Sequence, residues 1–379
     1  MSANYSTIPA SAVKQPKPFI VHHTDEQLRD FKKDIESAKL GQTTYENLQQ
    51  DRKYGVTSQW LREAMEAWKD FDWRKVEGQV NQFPNFMAEV DDDGVSYTIH
   101  FMALFSNRDD AIPVLALHGW PGSFLEFLPI FSQLSAKYSP EELPYHIIVP
   151  SLPGYAYSSA PPLDRDFRLE NAANIIDSLM VQLGFGKGYV VQGGDVGSKI
   201  ARVLGGTFPR AKAIHLNFSI MPDPGNIDES VYDDLEREGL KRAEWFTKFG
   251  SAYALLHGTK PATIGLALSA SPVSLLVWIG EKFLDWTDDD LPLDAVLEQL
   301  FTPGNIGAHE NPVWHINKPL GMSWFPKEIA PVPEAWTATT GDLVLFKKHD
   351  KGGHFAALEH PDVLLADLEE FIKLVKPVV

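Results

Sequence analysis

The chain is 379 residues long, carries a formal net charge of −17 and is 44% hydrophobic, with 10 tryptophans. That apolar content sustains a large buried core and excludes a disordered chain. An acidic chain without a Lys/Arg cluster cannot neutralise a phosphate backbone, so no nucleic-acid partner is expected and the acidity serves solubility. No cysteine is present, which removes disulfides, thiolate nucleophiles and Cys-ligated metal and points to a reducing, cytoplasmic setting.

In chain order, residues 1–93 read as a helical leader packing on the core and the lid. Met1 to Phe19 lacks the apolar region of a signal peptide. Thr24-Asp25-Glu26-Gln27 has the form of a helix N-cap, and Ser58 to Trp68 is amphipathic, with Trp60 and Trp68 on it. From residue 94 short strands alternate with helices. Val95 to Met102 alternates like a half-buried edge strand, while Val114 to Leu117 and Ile147 to Pro150 are apolar runs typical of buried parallel strands. A helix over Leu169 to Leu183, a strand over Gly188 to Gln192, a helix just after Asp195 and a strand over Ala213 to Phe218 follow. This order predicts a mostly parallel, doubly wound α/β sheet whose first part spans 94–221.

Residues 222–319 turn helical again and predict a lid inserted between sheet strands. Within it, Ala262 to Gly280 is uncharged and nearly long enough to span a bilayer. Pro272 and the hydroxyls of Thr263, Ser269, Ser271 and Ser274 argue instead for two buried helices joined at Ser271-Pro272, and no membrane partner is expected. The core resumes over 320–379, with strand rhythm near Trp336 and at Leu343 to Phe346, and a last helix from Asp362 to Lys376.

Gly193-Gly194-Asp195-Val196-Gly197-Ser198 leaves a strand and opens a helix. Its frame, Gly-x-Asp-x-Gly, is the nucleophile elbow of an α/β-hydrolase with aspartate where serine is usual. The helix N-terminus beneath Asp195 favours an ionised carboxylate. An ordinary glycine-rich turn with an N-capping Asp is the competing reading. His118-Gly119-Trp120-Pro121-Gly122-Ser123 follows an earlier strand and can aim the Trp120 N–H, with the Val196 N–H, at a developing oxyanion. Gly352-Gly353-His354-Phe355 precedes the last helix, where the fold places its histidine. For the acid that orients His354, Glu328, Asp342 and Asp350 all compete, with Asp350 close to His354 on the same loop and Asp342 at the start of a strand.

These motifs in order, together with Ser151-Leu-Pro-Gly-Tyr155 and Phe325-Pro-Lys-Glu328, resemble the microsomal-type epoxide hydrolases, closest to the soluble fungal members that lack the membrane anchor. The resemblance covers nearly the whole chain. It implies Asp195 as nucleophile, His354 as base, Glu328 as acid, and a lid tyrosine donating to the epoxide oxygen at Tyr253. It also implies a second lid tyrosine, yet no tyrosine follows Tyr253 here, and the segment from Leu300 to His315 is shorter than in its relatives. His309 is the nearest residue able to stand in as a second proton donor.

The implied chemistry is coherent. A carboxylate attacks an epoxide carbon and becomes an alkyl ester, and water activated by His354 then hydrolyses the ester to a vicinal diol. The expected partners are a small-molecule epoxide and water, with no cofactor and no metal; a homodimer stays open. Two other readings remain at this stage: the same nucleophile turned to another leaving group or to a biosynthetic ring closure, and a binding protein that keeps the pocket without the chemistry.

Overall fold

The computed structural model describes residues 5–291 and 312–379. Nine strands form one sheet: β1 (Lys17–Phe19), β2 (Asn85–Asp92), β3 (Val95–Leu104), β4 (Ile112–Leu117), β5 (Tyr145–Pro150), β6 (Tyr189–Gly193), β7 (Ala211–Leu216), β8 (Ile316–Trp324) and β9 (Gly341–Lys348). Their order across the sheet is β1-β2-β3-β5-β4-β6-β7-β8-β9. The pairs β1–β2, β2–β3 and β3–β5 are antiparallel, and the rest of the sheet is parallel.

The parallel strands β4, β5 and β6 read Ile-Pro-Val-Leu-Ala-Leu, Tyr-His-Ile-Ile-Val-Pro and Tyr-Val-Val-Gln-Gly and are buried almost throughout. Strands covered on both faces carry such unbroken apolar runs. Strands β4 and β6 are neighbours with Leu117 opposite Gly193, so the loops that leave their C-terminal ends emerge side by side. The strand order reverses at this point, which opens a crevice in an open parallel sheet.

The leader holds α1 (Asp25–Ser37), α2 (Ser58–Lys69) and α3 (Trp73–Val80), but it is not only helical. It adds β1 and β2 to the sheet, so β3 lies inside the sheet rather than at its edge. Strands β2 and β3 are joined by Asp93-Gly94, both at positive φ (46° and 77°), which is the two-residue hairpin turn this dipeptide favours. Helices α4 (Leu128–Lys137), α5 (Leu169–Gln182) and α6 (Asp195–Thr207) connect the core strands, and the C-terminal helix Pro361–Val375 packs beside α4.

The lid contributes α7 (Asp234–Trp245), α8 (Ala252–Thr259), α9 (Pro261–Leu268) and α10 (Pro272–Asp285). The uncharged stretch of the lid is two helices, α9 and α10, bent by 115° where Ser271 caps Val273 N at 3.2 Å. Among the described residues no single helix is long and apolar enough to cross a membrane, though this bent pair has the length and composition together. The strand that follows the lid is β8, whereas Trp336 lies in a short helix, Glu334–Thr337. Lys318 and Pro319 hide β8 from a periodicity reading, and Trp336 owes its burial to packing on Tyr232, whose hydroxyl accepts its indole N–H at 2.7 Å.

One buried polar group anchors the strand that leads to Asp195. Asp177 on α5 accepts the Tyr189 hydroxyl at 2.7 Å and the Arg210 guanidinium, so it ties the start of β6 to the turn before β7. Removing one partner of a buried pair leaves an uncompensated charge. Asp177→Ala should therefore lower unfolding stability by roughly 3 kcal/mol in a urea titration; a loss below about 1 kcal/mol would contradict this anchoring.

Candidate active site

Strand β6 ends at Gly193 and α6 begins at Asp195, leaving Gly194 alone to turn the chain. Asp195 sits at φ +42°, a left-handed conformation that costs an aspartate energy and persists only where the surroundings enforce it. The enforcement is close packing: a Cβ on Gly197 would lie 2.3 Å from the Leu117 carbonyl oxygen, so α6 can cross β4 this tightly only with glycine there. The Asp195 carboxyl is consequently buried, 8% exposed, above a helix whose first-turn N–H groups, Val196 among them, have no intrahelical acceptor.

The loop after β4 supplies the nearest donor. Trp120 N–H donates to Asp195 Oδ1 at 2.7 Å. The loop is held by His118, whose Nε2 accepts the Leu152 N–H at 3.1 Å, which leaves the proton on Nδ1 to donate to the Gly119 carbonyl at 3.1 Å. Burial pushes His118 down to about 4, so this imidazole stays neutral and works as a brace.

On the other side of the carboxylate stands His354, brought by the loop that follows β9. A bridge between Lys327 and Gly353 lays this loop against the one that follows β8, which carries Glu328. His354 Nδ1 donates to Glu328 Oε1 at 2.5 Å, and His354 Nε2 faces Asp195 Oδ2 at 3.3 Å. Edge-on contacts with Trp286 and Phe218 hold the ring in plane, and the His354 N–H donates to the Trp286 carbonyl at 2.9 Å. Lid residue Arg242 clamps the acid's loop by donating to the carbonyls of Glu328 at 2.7 Å and Lys327 at 3.0 Å. Asp342 and Asp350 are exposed and make no contact with His354, so of the three competing acids Glu328 is the one beside it.

The charges follow from this arrangement. Burial alone would neutralise Asp195, but the facing His354 imidazolium, the Trp120 N–H and Lys199 outweigh it, and the carboxyl is held below its ordinary range. Burial likewise opposes the His354 imidazolium, yet Glu328 and then Asp195 hold its pKa well above the ordinary histidine value. The resting site is an anion–cation–anion row.

Above it lies the lid. Tyr253 on α8 is 4% exposed and stacks on Trp120 at 5.0 Å and 16°. Burial first, then the charges of Asp195, Glu328 and Glu281, keep its phenol protonated. One helical turn on, His257 packs edge-on against Trp120 and accepts the Trp278 indole N–H on Nε2 at 3.1 Å. An indole N–H can only donate, so His257 carries its proton on Nδ1, as a neutral donor. A cavity of about 630 Å³ runs between core and lid, lined by Trp120, Leu152, Tyr155, Val196, His257 and Trp278 among mainly apolar neighbours. The Tyr155 hydroxyl is buried beside it with no hydrogen-bond partner among the described residues. His309 lies outside the described residues. In the sequence His257 has no assigned role and Tyr155 stands only as part of the Ser151-Leu-Pro-Gly-Tyr155 motif, because only packing brings the two to this cavity. Among the described residues no group of acids and histidines is arranged to hold a metal.

A parallel sheet that presents an elbow residue, a backbone donor and an acid-backed histidine from the ends of its strands defines an α/β-hydrolase, here with a carboxylate at the elbow. Residues 16–127 match the family model described as epoxide hydrolase N terminus, and residues 112–249 match that of the alpha/beta hydrolase fold. The structure of the Aspergillus niger epoxide hydrolase superposes with a TM-score of 0.93 at 47% identity, covering 98% of this chain and 99% of that one. Epoxide hydrolase 1 of Sus scrofa is 30% identical over 97% of this chain and 91% of its own length. The juvenile hormone epoxide hydrolase of Bombyx mori superposes at a TM-score of 0.81 with 25% identity, covering 96% of both chains. The chain belongs to the epoxide hydrolase family.

Since the carboxylate charges raise the His354 pKa, removing one should lower it. Glu328→Gln is expected to bring the imidazole titration down toward the neutral range, read by NMR of labelled histidine; an unmoved titration would show that Glu328 does not act on His354.

Proposed function

We propose that this epoxide hydrolase adds water to its substrate through an alkyl ester on Asp195, yielding a vicinal diol. The observation that carries this reading is the unequal treatment of the two carboxylate oxygens. Oδ1 is already held by the Trp120 N–H at 2.7 Å, which leaves Oδ2 to form the new bond.

In the first half-reaction Oδ2 attacks an epoxide carbon, the carbon–oxygen bond of the ring breaks, and a lid donor passes a proton to the leaving oxygen. Tyr253 fits that role because its phenol stays protonated at the ceiling of the site. His257, which lines the cavity with its proton on Nδ1, is a described group able to support it. The new ester's carbonyl oxygen is then Oδ1, already in the reach of Trp120 N–H, with Val196 N–H as the second donor.

Ester formation also changes the electrostatics of the second half-reaction. Asp195 loses its charge, one of the influences that keep His354 protonated, so the imidazole gives up its proton, which restores the phenol of the lid donor, and becomes a competent base. Water loses a proton to Nε2 and attacks Cγ. The tetrahedral oxyanion on Oδ1 collapses, the bond from Cγ to Oδ2 breaks, and the departing alkoxide takes the proton of the new Asp195 carboxyl, so the diol leaves with the enzyme's oxygen and the carboxylate and imidazolium are restored. The apolar lining of the cavity suits a lipophilic epoxide.

His354→Gln should form the ester and fail to break it, so intact-mass measurement after mixing with styrene oxide should show the protein plus one substrate mass. Normal turnover by that variant would overturn the assignment of the base. Tyr253→Phe should slow ester formation on the order of a hundred-fold while leaving its hydrolysis near wild type, as expected for a lost donor to a developing oxyanion; equal loss in both steps would remove Tyr253 from the chemistry. The two steps should also differ in pH dependence. Ester formation needs Asp195 ionised and should persist to below the ordinary carboxylate range of about 4, whereas hydrolysis needs neutral His354 and should fall off at higher pH. Coincident acid limbs in single-turnover profiles would contradict this division.

A further inference from the structure

A second, much smaller chamber adjoins Asp195. It measures about 10 Å³ and is lined by Asp195, Gly194, His354, Gln192, Asn217 and Glu126 among others, and Trp120 alone is shared with the lining of the large cavity. A single water needs roughly 10–15 Å³ by this measure and two to four polar partners. The large apolar cavity meets the substrate's needs. The small polar one is of the size and chemistry of one water molecule.

Two of the residues that line it hold a buried polar atom without a hydrogen bond among the described residues. Gln192 Nε2 donates to Asn217 Oδ1 at 2.8 Å, which orients the amide and leaves Gln192 Oε1 buried without a partner among the described residues. His354 Nε2 also lacks an aligned hydrogen bond there, standing only in the 3.3 Å ion-pair contact with Asp195. Buried polar atoms are almost always satisfied by protein or by an ordered water, so two such atoms around one water-sized chamber point to a water between them.

Glu126 completes the wall. It belongs to the turn Phe124–Phe127 after the Trp120 loop, and its Oε1 lies 1.7 Å from where a Cβ on Gly122 would be. Only a glycine at 122 lets the carboxyl fold in over the loop. In sequence, Glu126 stands three residues after Ser123, the spacing of a helix capping box, and that purely structural role is the competing explanation.

Building on the Asp195 ester reading, we propose that this chamber seats the hydrolytic water and that Glu126 is the residue that positions it. Glu126 is 9% exposed, and burial, with the Asp195 charge adding to it and His354 opposing, pushes its carboxyl up to about 8. It therefore carries a proton at neutral pH and can donate to the water oxygen while Gln192 Oε1 and His354 Nε2 accept the two water hydrogens. One lone pair of the water is then left for Cγ of the ester. His354 takes the transferred proton, the new bond forms between the water oxygen and Cγ, and Glu126 keeps its own proton throughout.

The test separates the two half-reactions. Enzyme in excess is mixed with styrene oxide, and the ester is followed by rapid quench and intact mass. Glu126→Leu should alkylate within about two-fold of wild type and hydrolyse the ester on the order of a hundred-fold slower, the effect of a misplaced reactant. Glu126→Gln, which keeps a donor, should recover much of that loss. A merely structural cap would instead slow both steps together and lower the Tm, and that outcome overturns the proposal. Gln192→Leu, on the opposite wall, should give the same split, so the prediction stands even if a Glu126 variant does not fold. An ester that forms and breaks at wild-type rates in both variants overturns the chamber alone. A wild-type enzyme that forms no ester overturns the nucleophile assignment and the chamber with it.

Discussion

The hydrogen bond from Trp120 N–H to Asp195 Oδ1 joins the loop after β4 to the elbow after β6, and the charge it stabilises constrains everything around it. A carboxylate buried among apolar side chains would normally take up a proton. Here it stays ionised because one oxygen meets a backbone donor, the other meets the His354 imidazole, and a helix N-terminus lies below. Each of those partners has its own support. His118 braces the Trp120 loop, Glu328 holds His354, and Arg242 reaches down from the lid to hold the backbone that carries Glu328.

That requirement explains the choice of fold. The donor, the carboxylate, the acid and the histidine all follow the C-terminal ends of parallel strands, where loops converge and helix dipoles point inward. Ladder register, with Leu117 opposite Gly193, sets the first two of these loops side by side, and the bridge between Lys327 and Gly353 joins the other two. The lid then covers the site and contributes aromatic walls, with Trp286 serving twice by packing on the His354 ring and accepting its backbone N–H.

The parts legible in the sequence were those where chemistry forces a local backbone pattern. Glycines at 193 and 197, the His-Gly-Trp-Pro loop and the Gly-Gly-His354 loop are short-range demands, and they marked Asp195, Trp120 and His354 as candidates, with an N-capped turn still competing at Asp195. The orienting acid was not legible in this way, since Glu328, Asp342 and Asp350 look alike until the bridge between Lys327 and Gly353 brings one of them in. Strand β8 was hidden by Lys318 and Pro319. The leader's contribution to the sheet was signalled by Asp93-Gly94, a strong hairpin dipeptide, but the helical rhythm around it masked the two strands. Glu126, Gln192 and His257 carry no local signature, and Tyr155 stands in a motif that does not by itself give it a role. Only packing brings Tyr155 and His257 to the large cavity and Glu126 and Gln192 to the small one.

The central claim is that Asp195 donates one of its own oxygens to the product. A single turnover with enzyme in excess, run in ¹⁸O-water, reads this directly. The account predicts a first diol without solvent label, with the label incorporated into Asp195 and delivered only on later turnovers. Solvent label in the first diol would mean that water attacks the epoxide itself, and Asp195 would then be a general base.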